Sequence, residues 1–151
     1  MKLRWMAVPL ALSAAIVPVA VSRAQTAAPT VTVYKSPTCG CCSKWIEHMR
    51  SNGFEVKSTD VEDITSVKTA NGVPSEASSC HTALVAGYVL EGHVPADSVK
   101  RLLKEKPKVA GLAVPGMPMG SPGMEVPSGK VEHYDVVSFA RGGATTVFDR
   151  R

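Results

Sequence analysis

Hydrophobic and polar positions along the chain alternate between two periods, which predicts a mixed α/β fold. Val31-Thr32-Val33-Tyr34 is β-branched and aromatic, the mark of a short strand, and Ser36-Pro37-Thr38 stops it. From Cys41 to Ser51 the period changes. Trp45, Ile46 and Met49 recur at helical spacing, and Asn52-Gly53 is a helix stop. Phe54, Val56 and Ser58 alternate with polar neighbours, which predicts a second strand over Phe54 to Asp60. Ile64 to Ala70 reads as a short helix ending at Asn71-Gly72. Thr82 to Ala86 and Tyr88 to Leu90 read as two strands of a hairpin across Gly87, with Glu91-Gly92 as the following turn. Pro95 opens a helix whose Val99, Leu102 and Leu103 share a face, and Pro107 closes it.

This order predicts a mixed sheet with flanking helices, its first two strands parallel and joined by a right-handed crossover. Beyond Pro107 the pattern fades. The segment 109–127 is rich in Gly, Pro and Met and reads as a long loop, the kind that serves function or stays disordered. Val131 to Ala140 and Thr145 to Phe148 then read as a strand pair around Arg141-Gly142-Gly143. No internal repeat is visible.

The N-terminal stretch has a different character. Met1 to Arg4 carries two positive charges, and Trp5 to Val21 is apolar or small except at Ser13. With Ser22-Arg23-Ala24 behind it, this is the layout of a secretory signal peptide over residues 1–24, cleaved before Gln25. An uncleaved membrane anchor is the rival reading. The apolar run is near the lower limit for spanning, and Pro9 and Pro18 interrupt it. No cysteine precedes Cys39, which excludes a lipid-anchored N-terminal cysteine. Residues 25–151 are expected to form one domain in the periplasm, where disulfides are permitted.

Charge then changes meaning. The formal net charge of +4 owes three basic residues to the leader (Lys2, Arg4 and Arg23), and without them the chain is within one charge of neutral. Aromatic residues are 5% of the whole. A nucleic-acid platform and a polybasic membrane contact are both poor fits to such a chain. The 151 residues suit one ordinary domain, and a monomer is the default expectation.

The chemistry lies in the cysteines. Cys39-Gly40-Cys41-Cys42 follows the first strand and opens the first helix. Unpaired backbone N–H groups and the positive helix end favour thiolates there. Cys39 and Cys42 have the C-x-x-C spacing of thiol–disulfide enzymes. Cys41 does not belong to that design, since a third thiol invites wrong disulfides. Three thiolates in four residues make a soft-metal nest suited to copper(I); zinc is the weaker candidate, because it wants four tetrahedral ligands. In a thioredoxin-like layout the loop entering the Thr82 strand lies beside that helix start, so Cys80 becomes the fourth thiol. His81 adjoins it, and Met117, Met119 and Met124 offer thioethers on a loop that could fold over the cluster.

Plainer readings compete. The four cysteines could form two structural disulfides, His81 could be an ordinary polar loop residue, and the loop methionines could be packing. His48, His93 and His133 read as solvated or hydrogen-bonded.

One resemblance gathers these motifs. Tyr34-Lys35-Ser36-Pro37-Thr38-Cys39-Gly40-Cys41-Cys42, Ser79-Cys80-His81-Thr82 and Gly92-His93-Val94-Pro95 belong together with Gly111-Leu112-Ala113-Val114-Pro115-Gly116-Met117-Pro118 and Gly120-Ser121-Pro122-Gly123-Met124-Glu125. The set resembles a small bacterial metal-binding family, long labelled a domain of unknown function, that includes CopG-type periplasmic copper-handling proteins. The resemblance spans roughly Val31 to Phe148. It implies a thioredoxin-like fold and a thiolate copper cluster on Cys39, Cys41, Cys42 and Cys80. It also implies a role in copper resistance, with copper or thiol redox chemistry as a further capacity. The expected function is a multinuclear copper(I) binder whose partners are metal ions and other periplasmic copper-handling proteins. The alternative is a metal-independent thiol–disulfide oxidoreductase using Cys39 and Cys42. The resemblance does not decide between enzyme and binder.

Overall fold

In the computed structural model, which describes residues 29–141 and 143–151, a single mixed sheet organises the chain. The leader read at 1–24 lies outside the described residues. Among those described, no helix is long and apolar enough to cross a membrane.

Strand β1 (Val31–Lys35) leads into helix α1 (Gly40–Ser51) and then β2 (Val56–Asp60). β1 and β2 pair in parallel, as expected of strands joined through a helix. Helix α2 (Ile64–Ala70) and a 3-10 turn (Ser75–Ala77) lead to the hairpin β3 (Thr82–Val85) and β4 (Tyr88–Glu91). Ala86 and Gly87 both have positive φ, 47° and 86°, the two-residue turn that matches strand twist in a hairpin. Helix α3 (Ala96–Glu105) returns the chain to β5 (Gly111–Ala113), parallel to β4. β6 (Asp135–Phe139) and β7 (Thr145–Arg150) complete the order β2-β1-β3-β4-β5-β6-β7.

The mixed α/β class is as the sequence pattern predicts; several boundaries shift by one or two residues, Glu91 joins β4 instead of a turn, and two segments differ more. Gly111–Ala113 is a strand inside the segment that composition assigns to loop. It exists because α3 delivers it beside β4. A Cβ at Gly111 would lie 1.9 Å from the Val89 carbonyl oxygen, so only glycine permits the pairing. The predicted strand from Val131 begins only at Asp135. Residues 131–133 serve the loop instead: the Glu132 amide donates to the Met119 carbonyl at 2.9 Å. β6 and β7 are a hairpin, as expected, and they extend the same sheet.

Two apolar clusters cover the sheet. Val31, Val33, Trp45, Met49, Leu90, Val99, Leu102 and Leu112 belong to the larger one. Val89, Ala113 and Phe139 belong to the smaller. Neighbours along a strand point to opposite faces, so Leu90 and Val89 place the clusters on opposite sides. Helices α1 and α3 therefore share the larger face.

Their contact includes a cap. The Ala96 amide, first in α3, has no side-chain acceptor from its own segment and donates to His48 Nε2 of α1 at 3.1 Å. Burial lowers the His48 pKa below 6.5, against the pull of Glu125 and Asp97. A folded pKa below the unfolded one means stability present above pH 6.5 and lost as pH falls. His48→Leu should therefore cost about 1 kcal/mol at pH 8 and much less at pH 5. Denaturant unfolding at the two pH values checks this; an equal gap at both would remove the cap from the pH dependence.

Candidate metal centre

Helix α1 starts at Gly40 with Cys39 as its N-cap, and the Cys39 sulfur accepts the Cys42 amide at 3.3 Å. The first turn carries no acidic residue, so the positive end of the helix is left free to favour an anion at the cysteines. Cys39 and Cys42 are joined by a disulfide, with Cα atoms 5.4 Å apart. Cys41 and Cys80 are free thiols. Cys41 Sγ lies 3.6 Å from Cys39 Sγ.

Cys80 reaches this group from the bend before β3. The four sulfurs lie within 4.8 Å of one another. At a metal–sulfur distance of about 2.3 Å, two sulfurs on one ion stand at most ~4.6 Å apart, so little movement separates this arrangement from a ligand set. A soft-metal ion fits such donors, and bridging would let more than one ion share them. The disulfide must open first. An external thiol reductant that supplies two electrons and two protons would convert it to two thiols, giving four thiols at one helix end.

His81 is placed with Cys80 as the sequence suggests. It is fully buried, with Nδ1 3.3 Å from Cys80 Sγ, and its ring lies 4.5 Å from that of Trp45. Its Nε2 is buried without a hydrogen-bond partner. Burial holds its pKa well below 6.5, with the charges of His93 and Lys68 acting the same way, so the ring is neutral.

His93, which the sequence assigns to ordinary hydrogen bonding, is bonded to the candidate cysteine itself. Its Nε2 lies 2.9 Å from Cys80 Sγ. Nδ1 lies 2.7 Å from the Pro122 carbonyl, which can only accept, so Nδ1 carries the proton. Burial lowers the His93 pKa, and a neutral ring then presents the Nε2 lone pair to the Cys80 S–H. Burial and the nearby Cys41 push the Cys80 thiol up to about 12, so it holds its proton at neutral pH. Cys80, His81 and His93 form a second group with ligand atoms within 4.8 Å. A signal for His93 was present. The hairpin pairs Thr82 with Glu91, and extending that register by two residues sets Cys80 opposite His93.

The loop after β5 is docked by its backbone. The Gly116 amide donates to the Ser78 carbonyl at 3.2 Å, and Ser79 Oγ donates to the Gly116 carbonyl. Gly123 packs on the first turns of α1 so closely that a Cβ would meet the Cys41 carbonyl oxygen at 2.8 Å. Met119 and Met124 are half-buried on this loop. Met117 is 54% exposed. Of the other histidines, His48 caps α3 and exposed His133 lies 3.2 Å from the Arg151 carbonyl.

A family model described as "Protein of unknown function, DUF411" matches residues 77–124, the stretch holding Cys80, His81, His93 and the methionine loop. No curated protein matches the chain. Two solved structures are similar. "Copper resistance protein copG- Form 2" is 40% identical with a TM-score of 0.77, over 82% of this chain and 98% of that chain. "Copper resistance protein copG- Form 1" is 40% identical with a TM-score of 0.76 over the same shares. With that identity over nearly all of a copG chain, and the cysteines gathered at one helix end, the protein belongs to the copG family.

Proposed function

We propose that the protein is a periplasmic copper(I)-binding protein that holds a multinuclear copper–thiolate cluster and serves copper resistance. The observation that carries this reading is the convergence of Cys39, Cys41, Cys42 and Cys80 to within 4.8 Å. Four thiolates carry four negative charges, which one copper(I) ion does not balance. Several ions with bridging sulfurs neutralise the site better, and soft thiolates suit copper(I). His81 or His93 would complete coordination at the Cys80 side, and Met117, Met119 or Met124 would contribute a thioether from the loop. The name of the similar structures, copper resistance protein, supports copper as cargo. The leader-like N-terminus supports export. Bound copper would be sequestered or passed to other periplasmic copper-handling proteins, and when copper leaves the Cys39–Cys42 dithiol would close to the disulfide by giving two electrons and two protons to an external oxidant.

The second reading is a metal-independent thiol–disulfide oxidoreductase, and the Cys39–Cys42 bond at the start of α1 favours it. Anaerobic titration of the reduced chain from Gln25 with copper(I) separates the two. The cluster reading expects more than one copper retained per chain after desalting, with all four thiols protected. Cys80→Ser should sharply lower that stoichiometry. No retained copper, with Cys39 and Cys42 cycling readily to a disulfide, would establish the oxidoreductase instead; unchanged stoichiometry in Cys80→Ser would remove Cys80 from the site.

A further inference from the structure

The copper site accounts for the cysteines and the buried histidines. It leaves unexplained a fully buried carboxylate beneath them. Glu91 ends β4 with no exposed surface. Its Oε2 accepts from Thr82 Oγ1 at 2.7 Å, across the β3–β4 register. Its Oε1 accepts from Lys68 Nζ of α2 and, at 2.7 Å, from the backbone amide of Ser79. Lys68 Nζ also lies 3.4 Å from Thr82 Oγ1.

A buried ion pair is weak evidence for stability, because well-packed apolar residues usually serve a core as well or better. What an apolar pair could not do is accept the Ser79 N–H. That amide belongs to the bend carrying Cys80, outside the strand ladder. The bend is held at four points: Ser79 N by Glu91, Ser79 Oγ by the Gly116 carbonyl, Ser78 O by the Gly116 amide, and His81 O by the Gly92 amide at 2.9 Å. Glu91 is also two residues before His93. One carboxylate therefore braces both chain segments whose side chains meet in the 2.9 Å Cys80–His93 contact.

We propose that Glu91, neutralised by Lys68, is the positioning residue that holds Cys80 in the ligand set through the Ser79 amide. What it positions rests on the copper reading above; the brace itself does not. Glu91 touches no metal ligand's donor atom, and its effect runs through backbone placement. Supporting hydrogen bonds of this kind set the orientation of ligands and, when removed, typically weaken metal binding.

Single substitutions confound the test, since removing either charge leaves the other buried alone. Two charge-free variants avoid this. Lys68→Met with Glu91→Gln keeps an oxygen acceptor for Ser79 N–H and a donor for Thr82. Lys68→Met with Thr82→Val and Glu91→Leu leaves the core apolar and only the Ser79 amide unpaired. Two properties are measured on each: copper(I) affinity, and the alkylation rate of Cys80 in the metal-free protein with Cys39–Cys42 oxidised, mapped by peptide mass. The apolar variant should bind copper roughly 10–100-fold more weakly and alkylate faster at Cys80. The glutamine variant should stay close to the unsubstituted protein in both.

Equal behaviour of the two variants, whether both impaired or both intact, would overturn the proposal. If the unsubstituted protein retains no copper while the Cys80 rates still separate the variants, the copper reading fails and the brace stands. Amide hydrogen exchange on the unsubstituted protein needs no variant. The Ser79 amide should exchange as slowly as the β3–β4 ladder amides, and exchange at an exposed-loop rate would overturn the brace.

Discussion

Cys41→Ser should reduce retained copper to about half or less, because a bridging thiolate serves more than one soft-metal ion. The same substitution should leave disulfide exchange through Cys39 and Cys42 intact. The two readings of the site differ most at this residue. Cys41 takes no part in the Cys39–Cys42 bond, yet its sulfur lies 3.6 Å from Cys39. In a dithiol enzyme such a neighbour is a hazard, since it can attack Cys39 and trap a wrong disulfide. Its removal would then be neutral or beneficial. In a cluster it is a ligand, and serine offers no soft donor. Cys41 is only half-buried, so stability should change by about 0.5 kcal/mol or less. Metal analysis after desalting, beside an insulin-reduction assay with a copper chelator present, reads both properties. Full copper retention with unaltered exchange would exclude Cys41 from any cluster.

Locally encoded features were legible in the sequence. The α1 period through Trp45, Ile46 and Met49, its stop at Asn52-Gly53, and the hairpin across Gly87 follow from side-chain spacing and turn chemistry, and the structure has them there. What escaped was set by tertiary contact. β5 is three residues long, contains glycine and has no alternation; it is a strand only because β4 and β6 flank it. The 131–133 segment has strand-like composition, but Val131 packs on Gly120 and Glu132 pairs with Met119, so the loop claims it.

The site divides in the same way. The C-x-C-C cluster at a helix start was readable from adjacency, and Cys80 from the strand that follows it. Glu91 was not, because it reads as a turn residue; its burial depends on Lys68, 23 positions earlier. His93 lay between these cases. The Gly87 turn sets the hairpin register, and that register places His93 opposite Cys80, but only once the two strands are paired. The methionines show the limit of composition. Three thioethers in eight residues suggest ligands, yet the contacts that dock their loop come from backbone groups and glycines.

That docking makes Gly123→Ala the second substitution with a large expected effect. Gly123 has φ +88°, and an added Cβ would meet the Cys41 carbonyl oxygen and the Trp45 amide nitrogen, each at 2.8 Å. Positive φ alone costs an L-residue about 1–2 kcal/mol. The contacts add to this, and the two atoms they involve are helix backbone that also fixes the cysteines, so the loop must yield rather than the helix. Displacing it would strip His93 Nδ1 of the Pro122 carbonyl, freeing the ring whose Nε2 meets Cys80 Sγ. With His93 in the proposed ligand set, copper should bind at least about tenfold more weakly, the lower end for losing a supporting contact to a metal-ligating histidine, and dissociate correspondingly faster. Proteolysis within 116–130 should open while the α1–α3 core stays folded. Gly129→Ala is the matched control: its φ of +69° carries a similar conformational cost, but a Cβ there meets nothing within 4 Å. If the control releases copper as fast as Gly123→Ala, the effect belongs to loop strain in general. If only Gly123→Ala does so, the seat of the loop on the cysteine helix retains the metal.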